Sequence, residues 1–186
     1  MRFNGSAFNV DVTGLQSTIF DPSIVNLFFS DNAANATIKG VEGDFTYYTN
    51  VEGLSVAGAF SIFNTNIDDA LVPTNDVVVG QDLAFAPGHQ GNIRVRKETG
   101  MSGGNVGHVQ VQYTFSDSSF SDIMGPNKAE QDSYSYIDLR AGISNDELTA
   151  ELYVDNVTDE RAEISNTFVF DRQRITYIRP TTIGIR

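Results

Sequence analysis

The chain has 186 residues, of which 24 are acidic and 12 basic, so its net charge at neutral pH is −12. This balance argues against nucleic acid as a partner, because no basic stripe is present to neutralise phosphates. The absence of cysteine excludes disulfide frameworks and thiolate metal sites. No apolar run approaches the ~20 residues of a membrane-spanning helix, and no sustained helical periodicity occurs, so we expect a single all-β domain.

Eight segments alternate apolar and polar residues with a period of two, which is typical of a strand that faces two environments. The clearest lies in the stretch LTAELYVDNVTDER, where Leu148, Ala150, Leu152 and Val154 share one face. The predicted strands, in chain order, are Arg2–Ile19, Thr37–Thr49, Leu54–Asn66, Gly91–Glu98, Gly107–Phe115, Ser133–Ser144, Leu148–Asp155 and Ile175–Arg186.

The first predicted strand carries Phe8, Val10 and Val12 on one face. Leu15 is out of register with Val12, so we expect a β-bulge at Gly14. After this strand the sequence predicts a turn at Asp21–Pro22–Ser23, a short extended piece over Ile24–Ser30 and a polar segment over Asp31–Asn35, which together form a long loop.

The predicted connections alternate strictly between long and short, which places all the long loops at one edge of an antiparallel meander. A soluble β-sandwich has no reason for this asymmetry, whereas a transmembrane β-barrel has short periplasmic turns and long extracellular loops. We therefore expect the apolar face of the strands to meet lipid and the polar face to line the lumen. Aromatic girdles are expected from Tyr113, Phe115 and Tyr177 near the loops and from Tyr47 near the turns. The residues expected to face lipid are Val41, Phe45, Val56, Phe60, Val109, Val111, Leu139, Leu152 and Ile183.

Six segments in this order, FNVDVTGLQ, ATIKGVEGDF, LAFAPGHQGNI, YIDLRAGI, LYVDNVTDERAE and RPTTIGIR, span essentially the whole chain. Together they resemble the C-terminal part of the barrel of TonB-dependent outer-membrane receptors. The resemblance implies a barrel of ~22 strands closed around a plug, of which residues 1–186 supply roughly the last third. It also implies a bacterial outer-membrane location and energy-coupled import of a ligand, often a ferric siderophore and sometimes a vitamin or an oligosaccharide. The implied partners are outer-membrane lipid, the rest of the barrel and plug, and the TonB system.

Both ends of the chain stop inside strand patterns, and we find no segment resembling a signal peptide, a plug domain or an energy-coupling box. We therefore expect a fragment, folded as an open, curved sheet with Arg2–Val12 and Ile175–Arg186 as unpaired edges. Two alternatives remain open at this point. One is a complete eight-stranded barrel closed by its first and last strands, and the other is a soluble carbohydrate-binding β-sandwich.

Charged residues of the polar face suggest two interpretations. Glu42 and Asp44 share a face, as the two carboxylates of a glycosidase would, but solvated positions on a wet wall are the simpler interpretation. A ladder of salt bridges across the lumen face is expected from a set of arginines and carboxylates on that face. The arginines are Arg94, Arg96, Arg140 and Arg186, and the carboxylates are Glu42, Asp44, Asp138, Glu151 and Asp155.

No other cluster predicts a site. His89 lies beside a long loop and His108 beside a short turn, so a shared metal site is not expected. The acidic loop Asp68–Asp82 suits calcium by its ligand type but lacks EF-hand spacing. The glycine-rich stretch Gly100–Gly107 has no helix after it to bind phosphate. The sequence offers no nucleophile–base pair, so we assign no catalytic, cofactor, metal or ligand residue and expect no enzyme.

Overall fold

A computed structural model of the chain describes residues 1–21, 27–72, 76–169 and 172–186. In these ranges no helix is long and apolar enough to cross a membrane. Two single turns of 3-10 helix occur at Ser102–Gly104 and Gly125–Asn127. The strands are β1 Arg2–Asp21, β2 Leu27–Tyr48, β3 Leu54–Ala70, β4 His89–Gly100, β5 Val106–Ser116, β6 Ser119–Phe120, β7 Glu130–Gln131, β8 Tyr134–Ser144, β9 Thr149–Asp155, β10 Glu163–Val169, β11 Arg172–Tyr177 and β12 Thr182–Ile185.

The main sheet is an antiparallel meander of eight strands in the order β1-β2-β3-β4-β5-β8-β9-β12. Each of these strands pairs with its predecessor in the sheet, and the smaller pairs β6–β7 and β10–β11 are hairpins inside long connections. β1 and β12 are the two edges, and no pairing joins them among the described strands. The predicted meander and open sheet are confirmed, whereas the closed small barrel and the two-sheet sandwich are wrong.

The connections confirm the predicted asymmetry. The short turns at one end of the strands are residues 49–53, 101–105 and 145–148. The long connections at the other end, which we call the long-connection edge, are 71–88, 117–133 and 156–181. In the first turn, Thr49 N–H donates to the Leu54 carbonyl at 3.0 Å, and Gly53 takes the left-handed conformation at φ +68°. Glycine suits that position because a side chain there is strained and would meet the Glu98 carbonyl.

The first predicted loop is wrong over most of its length. β2 begins at Leu27 instead of Thr37, and Asp21 pairs with Leu27, so residues 27–35 of the stretch expected as loop are strand. Pro22 and Ser23 of the predicted turn lie outside the described residues. The polar run was misleading because backbone pairing with β1 orders this part of β2 without an alternating apolar face. The predicted bulge is confirmed, with a register shift after Val12 and Gly14 at φ +66°.

The last predicted strand is also corrected. Its first half is β11, which pairs with β10 in a separate hairpin, and only β12 pairs with β9. Pro180 lies between the two halves and has no N–H to donate to a ladder, which explains the interruption. Tyr177 consequently lies in the hairpin opposite Glu163 instead of on the lipid-facing wall, so its predicted place in a girdle is wrong.

Strand register places all nine residues predicted to face lipid on one side of the sheet. Val111 pairs with Val95 on one neighbour and Leu139 on the other, and Val95 pairs with Val56. Directly paired residues of antiparallel strands point to the same side, so the apolar stripe is continuous. Its members remain solvent-exposed in the isolated chain, Val111 at 46% and Ile183 at 69%. Tyr113 and Phe115 lie on this side with ring centroids 6.0 Å apart, as predicted.

Toward the long connections, the apolar residues of the strands change from one side of the sheet to the other. On β1 and β2 the lipid-facing side carries Asn9 and Lys39 there, while Val10 and Ile38 point to the opposite side. The prediction that apolar faces meet lipid therefore fails for Phe8, Val10 and Val12. The buried core lies at this level, where connection residues pack against β2 and β3. It consists of Ala33, Ala34, Ile67, Val77, Ile123 and Met124.

Candidate functional site

The side of the sheet opposite the apolar stripe is concave and polar. One open cavity of about 620 Å³ is lined by residues from β1, β2, β3, β4, β5 and β8, which requires that face to curve inward. Its polar lining residues carry hydroxyl, amide and carboxylate groups. They are Asn4, Ser6, Glu42, Asp44, Ser61, Gln90, Asn92, Thr114, Ser116 and Tyr134.

Glu42 and Asp44 lie on this concave face, as predicted, and each is hydrogen-bonded to β1. Ser6 Oγ donates to Glu42 at 3.0 Å, and Asn4 Nδ2 donates to both Asp44 oxygens at 3.0 and 3.1 Å. Both carboxylates are exposed. The two carboxylates of a glycosidase flank one bond of a bound sugar, whereas these two side chains are each hydrogen-bonded to a neighbouring residue of β1. The two exposed carboxylates can accept hydrogen bonds from a polar surface that contacts the concave face.

The predicted salt-bridge ladder forms in one place, around Glu151. One oxygen of this carboxylate lies 2.8 Å from Arg186 and 3.4 Å from Arg140, and the other lies 2.9 Å from His108 Nε2. The Glu151 side chain is only 7% exposed, and Arg140 also reaches Asp155 at 3.1 Å. Glu151 thus links β5, β8 and the residue that follows β12 to its own strand β9. We call the side chains of Glu151, His108, Arg140, Asp155 and Arg186 the Glu151 network.

The other predicted members of the ladder have different partners. Arg96 pairs with Glu98 at 2.8 Å along its own strand and reaches Gln110 at 3.4 Å. Asp138 accepts from the Asn156 backbone N–H at 2.8 Å. For Arg94, the described residues include no ion-pair partner. The ladder is therefore confined to the β8–β9–β12 side of the sheet.

The two histidines lie at opposite ends of the adjacent strands β4 and β5, far apart as predicted. His89 begins β4 at the long-connection edge and pairs with Asp117 at 3.0 Å, while His108 is near the start of β5. No group of three or more His, Asp or Glu residues is placed to hold a metal ion in the described ranges. The carboxylates of the acidic loop are bonded to neighbours instead. Thr37 Oγ1 donates to Asp68 at 2.5 Å and Thr65 Oγ1 to Asp82 at 3.3 Å.

The glycine-rich stretch Gly100–Gly107 continues directly into β5, as its sequence predicts. Ser102–Gly104 form one 3-10 turn, and Met101 N–H donates to the Asn105 carbonyl at 2.8 Å. A phosphate site of the helix-terminus type needs a following α-helix to present its first N–H groups. The stretch is therefore a hairpin connection.

Asn156 organises the connection after β9, a role that its sequence position does not reveal. It is 3% exposed and adopts φ +52°. Its Nδ2 donates to the carbonyls of Glu160 and Arg179 at 2.9 and 2.8 Å, and its Oδ1 accepts from Glu160 N–H at 2.9 Å. Asparagine is among the few residues that tolerate the left-handed conformation, which is the available sequence signal.

Acid is expected to loosen this connection through Asp159. A hydrogen bond from Thr181 N–H at 3.1 Å, followed by the nearby Arg161 guanidinium, lowers the pKa of Asp159 below its usual range. A lowered folded-state pKa means that the stabilisation is complete above the unfolded value of about 3.9 and is lost as pH falls through the folded value. The protection of amides in residues 156–162, measured relative to the intrinsic exchange rate at each pH, should therefore fall below about pH 4. The Asp159→Asn variant should lack this acid step, and an identical step in the variant would assign it to another group.

Comparison with known proteins identifies the family. The model of the TonB-dependent receptor-like β-barrel matches residues 1–157. Compared by sequence with curated proteins, the chain has no match. The ferric yersiniabactin uptake receptor FyuA from Yersinia pestis shares its fold with a TM-score of 0.75 at 16% identity, over 98% of this chain and 26% of that receptor. BauA, the ferric preacinetobactin receptor from Acinetobacter baumannii, has a TM-score of 0.69 at 14% identity, over 98% and 26%.

A third structure, the ferripyoverdine receptor of the outer membrane of Pseudomonas aeruginosa, has a TM-score of 0.63 at 16% identity over 99% of this chain and 24% of its own. The chain thus spans about a quarter of the length of the receptors that it matches. At these identities the solved structures show the fold, and the family match supplies the receptor class and the outer-membrane location. The chain belongs to the TonB-dependent receptor β-barrel family, whose members are transport receptors of the bacterial outer membrane.

Proposed function

We propose that residues 1–186 form the C-terminal part of the barrel of an active-transport receptor, not an enzyme. The receptor imports a bound ligand such as a ferric siderophore, with energy supplied through the TonB system. The observation that carries this proposal is the two-sided sheet, with a continuous apolar stripe on one side and a concave polar wall on the other. A wall of this kind suits a barrel whose outside meets lipid and whose inside meets water and protein.

The unpaired edges support a larger barrel around this sheet. β1 offers 20 residues of strand with one side unpaired, and an orphaned backbone N–H or C=O in lipid costs several kcal/mol by general estimates, about 2–7. Further strands of the receptor would satisfy these groups. The concave face would then contact a plug, and the exposed carboxylates Glu42 and Asp44 would offer hydrogen-bond acceptors to it.

Uptake by cells tests the proposal. The full-length receptor that contains this chain is expressed in a host deleted for its own siderophore receptors, and uptake of radiolabelled iron is followed with a panel of ferric siderophores. We expect uptake of at least one ferric siderophore, and its loss when TonB is deleted or the proton-motive force is collapsed. The same host carrying an empty vector controls for uptake by other routes. Binding without TonB-dependent uptake would contradict the transport proposal, and absence of both would contradict the siderophore assignment.

A further inference from the structure

A second cavity, of about 150 Å³, lies where three long connections meet. Pro87 comes from the connection after β3, Asp117 and Asp132 from the one after β5, and Glu163 from β10 after β9. It shares Gln90, Ser116 and Tyr134 with the large cavity of the concave wall, so the two cavities adjoin each other. A molecule held here would thus sit at the long-connection edge, directly above the concave wall.

The charge of this cavity is entirely acidic. Three carboxylates line it, and no lysine or arginine is among its lining residues. Asp117 pairs with His89, and Glu163 accepts hydrogen bonds from Asn166 and Tyr177, whereas Asp132 is exposed and has no hydrogen bond among the described residues. Carboxylates accept hydrogen bonds and repel anions, so the cavity favours a group that donates hydrogen and carries no negative charge.

Gln131 supplies the opposite hydrogen-bonding function. It lines the same cavity and is 4% exposed, and its Oε1 accepts from Ser119 Oγ at 3.0 Å. Its Nε2 has no acceptor among the described residues. Buried polar atoms are nearly always paired, so an unpaired amide donor in the lining of a cavity indicates a missing acceptor.

A hydroxyl group meets both demands, because it donates one hydrogen and accepts through its oxygen. An ammonium group would satisfy the carboxylates but leave the Gln131 amide unpaired, and a carboxylate would do the reverse. The rings of Tyr134 and Phe85 line the cavity as well and offer apolar surface beside these polar groups. The combination suits a ring with hydroxyls on its rim and C–H groups on its faces.

Resting on the proposed function, we infer that this cavity is a ligand subsite that binds an uncharged, polyhydroxylated group, such as a sugar ring, of the imported molecule. Asp132 accepts from its hydroxyls, and the Gln131 amide donates to one of them. The size of the cavity limits the group to about one monosaccharide.

Three sugars of the same ring test the inference: glucose, glucosamine and glucuronate, each titrated into the purified full-length receptor in detergent and followed by saturation-transfer NMR. We expect glucose to bind at least about tenfold more tightly than glucuronate, whose carboxylate meets the three acidic side chains. Glucosamine keeps the other hydroxyls and adds an ammonium group, so it measures the contribution of charge alone, and binding more than about tenfold tighter than that of glucose overturns the assignment of an uncharged group. Absence of glucose binding, or equal binding of glucuronate, overturns the inference.

Two variants locate the binding. Gln131→Met keeps the side-chain length without the amide, and Asp132→Ala removes an exposed carboxylate that is not hydrogen-bonded in the described fold. Each should weaken glucose binding about tenfold, while Asp146→Ala, at the turn edge, should not. Unchanged binding in Asp132→Ala overturns the inference, whatever the folding of Gln131→Met. Iron uptake separates the two proposals: uptake without sugar binding refutes the subsite alone, and sugar binding without siderophore uptake refutes the siderophore assignment alone.

Discussion

Replacing Glu151 with alanine should lower the free energy of unfolding by about 3–5 kcal/mol, the range measured when one partner of a buried ion pair is removed. The Glu151 side chain is 7% exposed and has three charged or polar partners, so its loss leaves His108 and Arg140 facing each other without an anion between them. The effect should concentrate at β12, whose ladder to β9 covers only Thr182–Ile185, with one further backbone pair between Glu151 and Arg186.

Unfolding by guanidinium and amide exchange, both on the full-length receptor in lipid vesicles, measure this effect. The matched control is Glu147→Ala, an exposed carboxylate in the short turn before β9 whose side chain has no hydrogen bond among the described residues. Its cost should stay within about 0.5 kcal/mol. Equal costs for the two variants would show that the Glu151 network does not hold the edge of the sheet, and unchanged exchange of the β12 amides in Glu151→Ala would show the same.

The strands that carry the apolar stripe were predictable because contact with lipid requires a regular alternation of apolar and polar residues. Residues that face lipid are mostly apolar and recur at every second position, so the alternation around Val109, Val111 and Leu139 identifies these strands and the side that each residue faces. The short turns then fix the register, since a connection as tight as 49–53 allows few pairings. Together these two constraints correctly placed all nine residues of the stripe.

Beyond the apolar stripe, toward the long connections, the alternation of apolar and polar residues did not predict which side faces lipid. Strand residues such as Asn9 and Lys39 face away from the core, and Val10 and Ile38 face the concave side, so the apolar periodicity persists with its direction reversed. The polar run 31–35 carried no period at all, although Ala33 and Ala34 are fully buried beneath the connections. Packing against Val77 and Met124 decides the structure there, and it depends on segments more than 40 residues away.

The concave wall was predictable as a polar surface but not as a set of contacts. His108 and Glu151 are 43 residues apart, and they meet only because β8 lies between β5 and β9 with Gly142 opposite both. A Cβ on Gly142 would lie 2.7 Å from His108 Cε1, so a glycine leaves room for the contact. The unpaired amide of Gln131 had no sequence signal, because it depends on the convergence of three connections.

Placing an arginine at Val111 should cost about 2–4 kcal/mol, because a charge on the lipid face is most expensive at the middle of the bilayer. Val111 lies in the middle of the apolar stripe, with Val95 on one side and Leu139 on the other, and no described carboxylate shares that side of its neighbours. The substitution leaves the concave wall and its hydrogen bonds untouched, so its cost reports on the lipid contact alone.

The comparison is Thr46→Arg, a substitution of the same kind on the concave side, where Thr46 pairs with Arg2 and Ala57. Water and protein solvate a charge on that side, so its cost should be small, about 0–1 kcal/mol. Both variants are measured by unfolding from lipid vesicles, and the difference between them should persist in thin and thick bilayers. If the two arginines cost the same in vesicles, the apolar stripe does not face lipid, and the barrel interpretation of the wall is wrong.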